Sequence, residues 1–62
     1  MNNFYTNIYP IINLHKSCSS KSKIVTQMIY GESFKIINKS SKWIKIKIKE
    51  DGYTGYIKKK KF

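Results

Sequence analysis

The sequence predicts an all-β fold, a small barrel of five to six short strands, and three observations carry that expectation. Ile44, Ile46 and Ile48 alternate with Trp43, Lys45, Lys47 and Lys49, which is the two-residue period of a strand with one buried face. Short β-branched and aromatic runs recur between Pro, Gly, Asn and Ser breaks. No segment shows the apolar period of an amphipathic helix. A chain of 62 residues holds one domain with one small core and is too short to enclose a large active-site cleft of its own.

Residues 1–8 read as a lead-in segment, because Asn2, Asn3 and Asn7 favour turns while Phe4 and Tyr5 are available to lie across a core. The domain proper is expected over 9–62. Tyr9 to Leu14 is the first strand; Pro10, lacking an amide donor, belongs at its start or on an edge, and Ile12 and Leu14 point inward. His15 to Ser22 has four serines and no period, so it is a loop. Ile24 to Met28 forms the next strand and supplies barrel framework, and Tyr30-Gly31 ends it in a turn where Gly31 can take a positive φ. Ser33 to Ile37 follows, with Phe34 and Ile36 on one face, and Asn38 to Lys42 makes the next turn. Trp43 to Lys49 buries its isoleucines and leaves Trp43 on the lysine face as a surface aromatic. Glu50-Asp51-Gly52 closes a hairpin onto Tyr53 to Ile57. Lys58 to Lys61 then leads to Phe62, expected to fold back onto the barrel end. There is no internal repeat.

A net charge of +10 comes from 13 lysines against Glu32, Glu50 and Asp51, with no arginine. Lysine is a mobile point charge, whereas arginine gives bidentate recognition of bases and phosphates. The charge therefore advertises an anion without specifying it: a solvated lysine surface, nucleic acid, an anionic wall polymer and a membrane surface all remain open. One cysteine, Cys18, excludes an intramolecular disulfide framework. No apolar run approaches a membrane span, and the first residues lack the pattern of a signal peptide, so the chain is expected in the cytoplasm or as a piece of a longer protein.

Asn13-Leu14-His15, Ile24-Val25-Thr26-Gln27-Met28-Ile29-Tyr30-Gly31-Glu32, Trp43-Ile44-Lys45-Ile46 and Asp51-Gly52-Tyr53-Thr54-Gly55-Tyr56-Ile57, in this order, resemble a bacterial SH3-like domain. The Val-Thr-Gln, Tyr-Gly-Glu and Asp-Gly-Tyr-x-Gly-aromatic pieces are similar, more narrowly, to the SH3 domain on the N-terminal side of NlpC/P60 cysteine peptidases, which cut bacterial cell-wall peptides. His15 stands where such domains often carry Arg, and Lys42 where Gly usually precedes the Trp. The resemblance implies an SH3-like barrel and a non-catalytic role in placing a peptidase on murein, with the catalytic Cys and His in a separate domain. The implied partners are murein peptide or a neighbouring catalytic domain, for a monomer in the cytoplasm or the cell envelope.

His15 and Cys18 lie three apart with no orienting third group, so no catalytic residue is expected. One Cys and one His cannot supply a structural zinc site, and neither metal nor cofactor is expected. Trp43, Tyr56, Tyr53 and Tyr30 are candidates for an aromatic groove that holds peptide or sugar, or are simply half-exposed strand aromatics. Glu32 is a candidate ligand for the free amine of a stem peptide, or a turn acid screened by lysines. Lys45, Lys47 and Lys49 with Trp43 and Tyr56 also fit a basic barrel that stacks bases and follows a nucleic-acid backbone, the alternative function.

Overall fold

A computed structural model describes residues 4–60; the expected placement of Phe62 lies outside them. The chain forms six strands: β1 (Phe4–Thr6), β2 (Ile11–His15), β3 (Ile24–Ile29), β4 (Ser33–Lys39), β5 (Trp43–Ile48) and β6 (Thr54–Lys58). They make one antiparallel sheet in the order β1-β4-β5-β6-β2-β3. The all-β expectation holds, and the strand count is the upper of the two foreseen.

A single sheet with one apolar face and no second layer must wrap around that face to bury it. Here the buried set is Ile12, Leu14, Met28, Phe34, Ile44, Ile46, Ile48 and Ile57, with Tyr9 and Ile36 packed against it. All three inward isoleucines of β5 are buried, as their alternation requires. Two register shifts help the sheet curl, because an extra residue in one strand bends it and increases its twist. One leaves Ile37 unpaired in β4, between Ile36 opposite Ile46 and Asn38 opposite Lys45. The other leaves Val25 unpaired in β3, between Thr26 opposite Leu14 and Ile24 opposite His15.

The curl brings β3, at one end of the sheet, to the β4 side at the other. The seam is the turn Tyr30-Gly31-Glu32 laid across residues 7–10. The Tyr30 amide donates to Pro10 O at 3.1 Å, the Gly31 amide to Asn7 O at 2.8 Å, and the Asn7 amide to Glu32 O at 2.9 Å. Gly31 has φ 89°, the left-handed region that costs a Cβ-bearing residue about 1 kcal/mol or more. A Cβ added there meets nothing within 4 Å. Gly31→Ala is therefore expected to lower the unfolding free energy measured in urea by the conformational cost alone, about 1–2 kcal/mol, with no change in the near-ultraviolet spectrum.

Two expectations are corrected. Phe4–Thr6, read as lead-in without regular structure, is a strand paired with Lys35, Phe34 and Ser33. β4 runs on to Lys39, into the span expected to turn, because its bulge restores pairing with Lys45 and Ile44. Ile24 to Met28 lies within β3 as expected of barrel framework; Met28 is its core residue, and Ile24 and Val25 are 45% and 40% exposed, since an end strand with a bulge turns few residues inward.

Candidate functional site

The five residues singled out in the sequence do not form one groove. Trp43 and Tyr56 share the outer face of the sheet, and Tyr30, Glu32 and Tyr53 lie toward the other end of β5.

Trp43 opens β5 and is held by the turn before it. Ser40 Oγ donates to Trp43 O at 3.0 Å and accepts from the Trp43 amide at 3.2 Å, while the Ser40 amide donates to Trp43 O at 2.8 Å. Its ring meets His15 edge-on, with centroids 5.6 Å apart and planes at 83°. This contact leaves Trp43 half-buried, less open than a bare surface aromatic. His15 Nδ1 donates to Ser22 O at 3.2 Å, so the ring also clasps the serine loop that follows β2. Tyr56 stands opposite both His15 on β2 and Lys45 on β5, and the Lys45 ammonium lies 5.7 Å from its ring centroid. Trp43, Lys45, Tyr56 and His15 thus make one half-exposed cluster across three strands. Cys18 is an exposed free thiol in the loop beyond His15.

The second group surrounds an open cleft of about 710 Å³ lined by Tyr30, Gly31, Glu32, Ser33, Lys49 and Glu50. Glu32 Oε1 accepts from the Ile29 amide at 2.8 Å, which closes the β3–β4 turn and fixes the carboxylate at the rim. Tyr30 is 69% exposed beside it. Two backbone bonds tie the β5–β6 turn to this end: the Lys49 amide donates to Ser33 O and the Ile48 amide to Tyr53 O, both at 2.9 Å. Tyr53, 55% exposed, is therefore a neighbour of the cleft without lining it. Glu50 and Glu32 put two of the chain's three acids on the same opening. Six residues of extended chain separate Trp43 from Lys49, about 20 Å at the strand rise.

Among the described residues no group of three or more His, Cys, Asp or Glu side chains converges as a metal site, and no helix is long and apolar enough to cross a membrane. Sequence reasoning missed Asn7, the one fully buried polar side chain among the described residues. Its Nδ2 donates to Met28 O at 3.3 Å and its Oδ1 accepts from the Tyr9 amide at 2.9 Å.

Residues 14–62 match the family model described as the bacterial dipeptidyl-peptidase Sh3 domain. The chain belongs to that family. The match takes in Glu32, Tyr30, Trp43, Tyr53 and Tyr56, and it begins inside β2, so β1 and Asn7 precede it. No curated protein and no solved structure matches this Sh3 domain. The bacterial SH3-like resemblance is thereby established, and the six-stranded curled sheet agrees with it.

Proposed function

We propose that the chain is a non-catalytic binding module of a bacterial cell-wall peptidase, of the NlpC/P60 kind, and that it holds murein peptide by the peptide's free amine at the Glu32 cleft. The observation that carries this is the placement of acids. A chain of net charge +10 sets two of its three carboxylates, Glu32 and Glu50, on one open cleft beside an exposed tyrosine. A carboxylate with one oxygen fixed by a backbone amide still has lone pairs for an ammonium group, and Tyr30 offers a rigid ring with a polar tip next to it. The family's description, a domain of dipeptidyl-peptidases, supports a peptide ligand and a peptidase neighbour.

Trp43 and Tyr56 enter this reading as a separate contact. Measured along β5 from Lys49, a ligand anchored at the cleft reaches Tyr56, opposite Lys45, after about 13 Å and Trp43 after about 20 Å. Tyr53 serves as a flank of the cleft. Titrating labelled protein with a muropeptide that carries a free amine is expected to shift the amides of residues 30–32 and 49–50, and Glu32→Gln is expected to weaken binding at least tenfold. An unmoved spectrum at millimolar ligand overturns the reading.

A brace against a neighbouring catalytic domain is the second reading, and one observation favours it. Ile11 and Ile29 stand opposite each other on the outer face of β2 and β3, 58% and 56% exposed. Apolar pairs of this kind mark contact surfaces when they join a larger patch.

A further inference from the structure

Lys35 on β4 and Lys47 on β5 stand directly opposite in register. Like charges in that position repel, so neither strand gains from the pair. Lys45 and Lys49 lie two residues to either side of Lys47, and Lys58 faces Trp43 from β6. Along β5 the lysines repeat about every 6.7 Å. None of the chain's three acids lies on a strand: Glu32 sits between β3 and β4, and Glu50 and Asp51 between β5 and β6. The outer face of β4, β5 and β6 is therefore a field of one sign.

Aromatic rings hold this field in place. The Lys49 and Lys35 ammonium groups lie 5.1 and 5.9 Å from the Phe4 ring centroid, and that of Lys45 lies 5.7 Å from Tyr56. Cation–π contacts restrict long side chains before any ligand arrives and so reduce the entropy lost on binding. They also occupy ring faces that a base would need for stacking. A small hollow of about 220 Å³ opens among Phe4, Lys35, Lys47, Ile48 and Lys49. Phe4 precedes the matched family span, so the ring that gathers Lys35 and Lys49 lies outside the family pattern.

We infer that this face anchors a linear phosphodiester polymer without bases, of the polyol-phosphate kind. Charge complementarity selects a polyanion. Lysine point charges without arginine suit a flexible chain of phosphates read by spacing, and the Phe4 and Tyr56 rings, each already approached by an ammonium group, are poor platforms for stacked bases. The face meets the Glu32 cleft at Lys49, which lines both, while Lys35, Lys45, Lys47 and Lys58 lie outside the cleft, so most of the polymer contact leaves the carboxylate open to peptide. The inference does not depend on the peptide reading.

The test uses fluorescent poly(glycerol phosphate) and oligothymidylate of equal charge. Poly(glycerol phosphate) is expected to bind more tightly. With five lysines engaged, its affinity falls about 100-fold between 50 and 200 mM salt, a logarithmic slope near −3.5 at about −0.7 per charge. Lys35→Gln with Lys47→Gln removes about 1.4 from that slope and leaves muropeptide shifts at Glu32 unchanged. Lys45→Gln, on the same face, serves as an independent second variant with a loss of about 0.7. Absence of binding at 50 mM salt overturns the inference, as does tighter binding of oligothymidylate or a slope that none of these substitutions changes.

Discussion

Gly55→Ala is expected to lower the unfolding free energy by about 3 kcal/mol, at the upper end of overpacking costs, and the melting midpoint by roughly 10–20 °C. Gly55 is buried on β6, which lies between β5 and β2. A Cβ there would lie 2.7 Å from Leu14 Cβ and 3.2 Å from its Cγ and Cδ2. Leu14 is fully buried, and its Cβ is fixed to the backbone of β2, so the contact cannot be relieved by rotating a side chain. Either β2 moves away from β6 or the barrel opens. Chemical denaturation of the single and double variants checks the cause. In a Leu14→Gly background Cβ, Cγ and Cδ2 are all gone, so the added cost of Gly55→Ala should shrink by about 1 kcal/mol or more. An equal cost in both backgrounds sinks the explanation. Gly31→Ala is the control, because its penalty is conformational and involves no neighbour.

β5 was fully legible in the sequence because three isoleucines at alternate positions admit one register only: a slip by one residue would bury the lysines. β1 was not. Three residues are too few to show a period, and Phe4–Thr6 becomes a strand through pairing with β4, which is information held some thirty positions away. The bulge at Ile37 was hidden for a related reason. Ser33 to Ile37 looks complete with two residues facing inward, and nothing local says that one extra residue lets the strand continue to Lys39.

The candidate site divides the same way. Glu32 was visible as one of three acids and Trp43 as a ring on a lysine face, since both follow from composition and parity. Their separation was not visible. It follows from Lys49, rather than Trp43, being bonded to Ser33, which makes Glu32 and Trp43 neighbours of opposite ends of β5. The contact of His15 with Trp43 required β6 to stand between β2 and β5, an order the chain does not spell out.

Asn7 shows what a local reading overlooks most completely, and substitutions there should be the most informative. As one of three asparagines near the start it reads as a turn former, yet it fastens the seam of the barrel. Its backbone joins the β3–β4 turn through Glu32 O and the Gly31 amide, while its side chain bonds Met28 O and the Tyr9 amide from a fully buried position. Asn7→Ala keeps the backbone bonds of the seam and removes the side-chain bonds to Met28 O and the Tyr9 amide from a buried site, an expected loss of about 1–3 kcal/mol. Asn7→Asp retains an acceptor for Tyr9 but sets a carboxylate oxygen where Nδ2 now donates to Met28 O. Burial and that facing carbonyl both disfavour the charged form, so the folded protein holds the proton more tightly than the unfolded chain, whose carboxyl titrates near 3.9. Stability of Asn7→Asp must therefore fall as pH rises above about 4. The protonated acid can donate to Met28 O much as the amide does. Asn7→Asp is expected to lie close to the parent near pH 3.5 and below Asn7→Ala at pH 7, while Asn7→Ala keeps a constant deficit to the parent at both pH values. Urea unfolding at the two pH values reads this directly. A deficit for Asn7→Asp that does not change with pH would show that the side chain at position 7 reaches water, and the seam would then rest on its backbone bonds alone.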